Sequence, residues 1–235
     1  MTQRTVELPA FEARRPVSDL EYVYSALKQS FMIGEFEPGQ RLTLPLLAEA
    51  FGTSQMPIRE AMNRLVVARA LEALPRRSMR VPEATTAKLD ALLPLRLLLE
   101  GEATRQAVAG DCGSLAQDLE AINLEMDAKV ASEDRKGYLR LNQQFHFSVY
   151  RRCGNHELID MIELLWMRYG PLMNIVRSQV LSSTGHSLHA AVISGIREND
   201  PQKAADAIRA DIEDAAASIR QAIEAQGPLL RDASL

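Results

Sequence analysis

The chain has 235 residues, 46% hydrophobic and 25% charged, and its 27 lysines and arginines against 31 aspartates and glutamates give a formal net charge of −4. That is the composition of a folded protein of one or two domains, large enough to bury its own core without staples. Two cysteines (Cys112 and Cys153), no apolar run of the about 18 residues a membrane span needs, and no secretory segment at the N-terminus exclude disulfide-rich, membrane and secreted classes, so a cytoplasmic protein is expected.

Residues 1–17 have no hydrophobic period and read as a flexible N-terminal arm. Ser18 or Asp19 caps a helix whose stripe is Tyr22/Val23, Ala26/Leu27 and Ser30/Phe31, and Gly34 and Pro38-Gly39 stop it. A second short helix is expected over about 44–51, with Pro45 tolerated in its first turn and Gly52 as its break. After the turn Gly52-Thr53, Ser54 caps a third helix with Pro57 in its first turn. On that helix Ile58, Ala61, Met62, Leu65 and Val66 turn inward, while Gln55, Arg59 and Asn63 share another side, with Met56 and Arg64 nearby. Helix, tight turn and a second helix presenting Gln, Arg and Asn outward is what reading a DNA major groove requires, because Arg donates twice to guanine and Asn or Gln pairs with adenine. Two extended pieces follow, over 71–74 and 75–82, around a basic tip. Alone they could be a solvated basic hairpin; in this order they read as a β-wing. Between Ser54 and Arg80, Arg59, Arg64, Arg69, Arg76, Arg77 and Arg80 are opposed only by Glu60 and Glu72, whereas the balance turns acidic beyond about residue 84.

The blocks PGQRL at Pro38–Leu42, LAEAFGTSQMPIREAMNRL at Leu47–Leu65 and the PRRSMRVPE segment resemble the winged-helix domain of GntR-superfamily transcription regulators, over roughly residues 18–83. The resemblance implies a DNA-binding set of Arg41, Ser54, Gln55, Met56, Arg59, Asn63, Arg64, Arg76, Arg77 and Arg80. Family members often carry Arg where this chain has Pro45 and Gln55, and Gly at the wing tip where it reads Ser78-Met79. The first two departures remove potential phosphate contacts and should weaken affinity and flatten its salt dependence.

Beyond Glu83 the pattern is helical throughout: 89–108 in one or two pieces, then 115–131, 138–150, 157–177, 183–197 and 201–225, the last capped by Asp200. The expected fold is mainly α, an N-terminal winged helix-turn-helix with a small β-wing (18–83) followed by a C-terminal antiparallel bundle of six or seven helices (84–226) and a tail (227–235). Polar residues interrupt the bundle's apolar stripes. Asn142 and His146 stand at i, i+4, His189 lies beside Val192/Ile193/Ile196, and Asp211 continues the stripe of Ala204, Ala207/Ile208 and Ala215. A buried Asp needs a partner. Imidazoles and a carboxylate from three helices suit zinc, nickel or manganese; hydrogen-bonded core histidines are the other reading.

The blocks LNQQFHFSVY and HAAVISGIRENDPQKAADAIRADI resemble the helical effector domain of the FadR-like branch of the same superfamily, called FCD, over about residues 85–225. Many relatives hold a divalent metal with one Asp or Asn and three His, and the corresponding positions are Asn142, His146, His189 and Asp211, so two of the four depart from the commonest pattern. The resemblance further implies a small organic-acid effector held near Asn142, His146 and His189, with Arg96 as carboxylate clamp and Arg140, Arg168 and Arg177 as lesser candidates. Arg96 could instead pair with Glu100 at i, i+4 on the surface, His186 could substitute as a ligand or simply face solvent, and Trp166 and Tyr169 could line a pocket or pack in the core.

The function expected is that of a ligand-responsive, non-enzymatic regulator binding operator DNA as a homodimer, without membrane contact. Two other readings stand beside it: a helical metalloenzyme with an accessory domain, and a regulator without effector whose bundle only dimerises. No nucleophile elbow, phosphate loop or placed general base supports the enzyme.

Overall fold

The computed structural model describes residues 18–74, 78–110, 112–176 and 178–232, leaving out the side chains of 178–184 and 226–232. Ser18 opens the first helix by accepting a hydrogen bond from the Glu21 amide at 3.3 Å. Helix α1 (Asp19–Met32) is followed by β1 (Arg41–Thr43), α2 (Leu44–Phe51), α3 (Gln55–Val67), β2 (Glu72–Leu74) and β3 (Ser78–Arg80). Gly52 ends α2 in the left-handed region at φ 61°, which lets the chain reverse at once into α3. Thr53 anchors that turn by donating its hydroxyl to the Asp19 carboxylate. Val23, Leu27 and Phe31 of α1, Leu47 and Phe51 of α2, and Ile58, Ala61, Met62 and Leu65 of α3 interlock as the core of this unit, each 1% exposed or less.

The three strands form one antiparallel sheet in the order β1-β3-β2, with Arg41 and Glu72 both opposite Arg80. The wing therefore has a third strand that the sequence reading lacked, since Arg41–Thr43 is too short to show an alternation. Ser78 and Met79 are not the tip: they lie within β3, opposite Leu74 and Ala73. Residues 75–77, and with them Arg76 and Arg77, lie outside the described residues, as does the expected N-terminal arm of 1–17.

The helical part comprises α4 (Thr86–Ala109), α5 (Leu115–Ala131), α6 (Arg135–Tyr150), α7 (His156–Met173), α8 (Ser178–Arg197) and α9 (Pro201–Asp232), with a 3-10 turn at Arg151–Cys153. Pro94 does not divide α4; it sits inside the helix on an exposed face. Asp200 starts α9 by accepting from the amides of Gln202 and Lys203 at 3.1 and 3.0 Å. Helix α9 packs on α4 and α8, and α5 packs on α6 and α8.

The chain divides into two compact units, one formed by residues up to Ala84 together with Trp166–Asn174 and the other by Thr85–Leu165 with Ile175–Leu235. The end of α7 thus belongs with the winged part, whereas the sequence reading kept all of 84–226 in one domain. Gly170 explains the fit: a Cβ there would lie 1.9 Å from the Phe31 carbonyl oxygen, so only glycine lets α7 and α1 approach so closely. Trp166 and Tyr169, both fully buried, are core residues of that first unit. Among the described residues no helix is long and apolar enough to cross a membrane.

Candidate functional site

Two separate constellations carry polar chemistry. The first is the outer edge of α3. Burial of Ile58, Ala61, Met62 and Leu65 fixes the helix's rotation, and Gln55, Arg59 and Asn63 are consequently exposed, with no hydrogen-bond or ionic partner among the described residues. Met56 is 67% exposed beside them, and Arg41 on β1 is exposed as well. Ser54 occupies the N-cap position with extended backbone and is exposed but makes no side-chain cap bond, which corrects the expected cap. Arg64 and Arg80 are engaged within the unit. Arg64 Nη1 lies 3.0 Å from Glu21 Oε1 and its guanidinium sits 5.3 Å from the Tyr24 ring centroid, while Arg80 pairs with Glu72 at 2.9 Å and Glu83 at 3.4 Å. All five carboxylates and guanidiniums of these bridges are about one-third exposed or more, so the bridges hold weakly.

The second constellation lies inside the bundle. Helix α6 carries Asn142, His146 and Tyr150 at successive i, i+4 positions, α8 carries His189, and α9 carries Asp211. His146 Nε2 lies 3.2 Å from Asp211 Oδ2, and His189 Nε2 lies 3.6 Å from Asp211 Oδ1. The ligand-capable atoms of these three residues all fall within 4.8 Å of one another. His189 stacks on Phe145 with centroids 4.0 Å apart, and the two imidazoles meet edge to face. His189 Nε2 is buried and has no hydrogen-bond partner among the described residues. Burial keeps His189 neutral, lowering its pKa to about 4 against the opposing pull of Asp211. Burial works the other way on Asp211, yet His189 and the hydrogen bond from His146 outweigh it and hold that carboxyl below its ordinary range.

Around the cluster stands a further set of buried polar groups. Tyr150 approaches His146 Nδ1 at 2.9 Å and donates its own hydroxyl proton to Glu100 Oε2 at 2.7 Å. Burial first, then the Glu100 charge, pushes the Tyr150 phenol well above its usual range. Glu100 receives Arg96 Nε at 2.5 Å and Nη2 at 3.0 Å. Asn123 on α5 accepts from or faces His189 Nδ1 at 3.1 Å and donates Nδ2 to the His186 carbonyl at 3.3 Å.

Of the four ligand positions, the structure brings His146, His189 and Asp211 together, and Asn142 is half-buried one turn before His146 on the same helix. Asp211 has the partners that a buried carboxylate requires. Arg96 is the i, i+4 partner of Glu100, but the pair is buried rather than on the surface, and its Nε/Nη2 edge is taken. Arg140 is exposed and outside the cluster; six residues before His146, it lies about 120° around the helix. His186 is exposed and pairs with Asp127 at 3.0 Å. Arg168 is half-buried in the first unit, and Arg177 lies outside the described residues. The sequence reading missed Tyr150, Glu100 as its acceptor, and Asn123. Tyr150 repeats the Asn142/His146 spacing and could have been found; Asn123 stands 66 residues from His189 and gave no signal.

Residues 20–81 match the model of bacterial regulatory proteins of the gntR family, and residues 90–214 match that of the FCD domain. The chain is 32% identical over 164 residues to the HTH-type transcriptional regulator McbR of Escherichia coli, covering 70% of this chain and 74% of that protein. It is 25% identical over 195 residues to the HTH-type transcriptional repressor GlaR of the same organism, covering 79% and 89%. The solved structure of E. coli McbR superposes with a TM-score of 0.82 at 27% identity, over 87% of this chain and 98% of that one. A GntR-type putative regulator from Rhodococcus shares the fold, with a TM-score of 0.71 at 20% identity.

Proposed function

Because the chain belongs to the GntR family of bacterial regulatory proteins and carries an FCD domain, we propose that its helical unit is a metal-assisted sensor of a small organic acid and that the sensor sets how firmly a homodimer holds operator DNA. The chain is a transcription regulator, not an enzyme, of a family that binds operator DNA and typically dimerises. The observation that carries the finer reading is the buried His146–His189–Asp211 cluster with an imidazole nitrogen left without a partner. An unsatisfied buried acceptor is costly, and two imidazoles with one carboxylate are a donor set for zinc, nickel or manganese. Tetrahedral zinc ligands stand roughly 3.4 Å apart, near the 3.2 and 3.6 Å that separate the two histidines from Asp211. His146, His189 and Asp211 would hold the ion, and Asn142 would add a neutral oxygen.

A bound divalent ion would supply positive charge in a dry site, where an effector carboxylate is held most strongly. Since Glu100 already takes the Arg96 edge, the effector's charge is met at the ion and not by that guanidinium. On DNA, Arg59 and Asn63 would face base edges, and Gln55, Ser54 and Arg41 the phosphates, with two α3 helices of a dimer in successive major grooves. The effector changes operator affinity only by its preference for one of the dimer's arrangements.

Metal analysis of the purified protein, followed by thermal shifts and operator footprints with a panel of organic acids, tests this. The expected result is one divalent ion per chain, a footprint of two half-sites, and an acid that alters the footprint only in the metal-loaded protein. Metal-free protein responding equally to the same acid would overturn the metal-assisted part. Protein indifferent to every acid would favour a bundle that only dimerises.

A further inference from the structure

We infer that Tyr150 and Asn123 are positioning residues that hold a proton on Nδ1 of both cluster histidines, so that Nε2, the nitrogen turned to Asp211, is the atom of each that meets a cation, which at His146 displaces the proton shared with that carboxylate. The inference deepens the metal reading above and rests on it for its affinity arm only.

The assignment follows from which groups can donate. Glu100 is an ion-paired carboxylate, held by Arg96 Nε and Nη2, and an ionised carboxylate can only accept. The Tyr150 hydroxyl at 2.7 Å from Glu100 Oε2 must therefore spend its one proton there. Only lone pairs of that oxygen remain for His146 Nδ1 at 2.9 Å, and the proton between them belongs to the imidazole. The same logic runs on the other side. The His186 carbonyl can only accept, so Asn123 turns its amide nitrogen toward it and its carbonyl oxygen toward His189. An oxygen 3.1 Å from Nδ1 requires that Nδ1 carry the hydrogen. Each imidazole thus has its outer nitrogen tied to Tyr150 or Asn123 and its inner nitrogen turned to Asp211.

Removing the Tyr150 oxygen has a specific consequence. Without an acceptor at Nδ1, the cheapest neutral form of His146 places its proton on Nε2, where Asp211 Oδ2 at 3.2 Å accepts it. It is then the ring's only proton, and a cation can take the Nε2 lone pair only by moving that proton to an Nδ1 with no acceptor. Outer partners of this kind change metal affinity by about 10–100-fold, and a merely structural tyrosine would not move a tautomer.

The test uses full-length protein with 15N-labelled histidine. Long-range 15N–1H spectra of the metal-free and zinc-loaded forms report which ring nitrogen of His146 and His189 is protonated, and calorimetry with zinc alone reports affinity. The proposal expects Nδ1–H for both histidines in wild type, loss of that signature at His146 only in Tyr150→Phe and at His189 only in Asn123→Ala, and zinc binding weakened about 10–100-fold in each. Two variants acting on separate helices guard against one that does not fold. Nδ1 bare in either wild-type histidine, or variants with unchanged tautomers and zinc affinity within twofold of wild type, would overturn it. Wild-type protein that shows both Nδ1 protons but takes up no zinc upholds the tautomer assignment and sinks the metal reading.

Discussion

At the scale of single residues, the cost of burying His189 neutral sets a pH dependence. Its folded pKa is about 4 against an ordinary 6.5, so between these values the unfolded chain takes a proton that the folded chain refuses. Unfolding is then favoured as pH falls: the loss begins below about 6.5, is complete near 4, and amounts to about 3 kcal/mol. Asp211, a carboxyl held below its ordinary range, adds a loss of the same sign at lower pH. Denaturant melts of the metal-free protein should show stability falling across this window, and His189→Gln should flatten the slope there. A variant with the wild-type slope would mean that another group titrates.

Arg59 makes the opposite case, a residue with nothing to lose in the free protein. It is exposed and unpartnered among the described residues, so Arg59→Ala should leave the melting temperature in place. Operator affinity should nonetheless drop tenfold or more, from about 1–3 kcal/mol per good base contact. Fluorescence anisotropy on the operator checks it, and unchanged binding by the folded variant would count against α3 as the reading helix. Residues of this kind were legible because an outward Arg on an otherwise apolar-faced helix needs no knowledge of the rest of the fold. Glu100 and Asn123 were not, since their roles exist only once separate helices meet, and Tyr150 showed only its i, i+4 spacing from His146.

Among elements, punctuation decided what could be foreseen. Pro45, Gly52, Ser54 and Pro57 bracket α2 and α3 so tightly that both helices could be placed from sequence. Helix α4 runs through Pro94, because the proline faces outward and the buried stripe of Leu89, Leu92, Arg96 and Ala103 continues on either side. Asp211 stood out as a carboxylate in a stripe of alanine and isoleucine, while the distance between α8 and α9 that gives it partners is set by a residue with no chemistry at all. A Cβ on Gly195 would come 2.6 Å from the Ala204 nitrogen and 2.8 Å from its Cα, backbone atoms that cannot rotate away. Gly195→Ala should therefore push α9 outward and cost about 1–3 kcal/mol. Because His189 and Asp211 lie on those two helices, zinc affinity should fall with the melting temperature. Gly110→Ala, whose new carbon would meet the Ala107 and Gln106 carbonyls at an ordinary 3.6 and 3.8 Å, is the control that should change neither strongly. Weakened zinc binding at an unchanged melting temperature would point to some other cause than helix spacing.

Over the whole molecule, a net charge of −4 is an awkward starting point for holding a polyanion. Binding has to depend on a local face, and within that face Arg64 and Arg80 are shared with Glu21, Glu72 and Glu83. Among the described residues few uncommitted cations remain at the edge of α3, which makes affinity sensitive to each one added. Gln55, exposed in the first turn of α3, stands where the resemblance leads one to expect arginine. For duplex DNA the slope of log K against log salt changes by about 0.9 for every phosphate neutralised. Gln55→Arg in both copies of a dimer adds two such contacts, so the slope should steepen by about 1.8 and the affinity gain should be largest at low salt. Anisotropy titrations of wild type and variant from about 50 to 200 mM salt measure both quantities, the range over which such contacts separate clearly. A steeper slope by only about 0.9 would mean that one half-site is engaged per duplex. Tighter binding with no change of slope would mean that the new arginine reads a base edge, and that Gln55 itself sits against bases and not against the backbone.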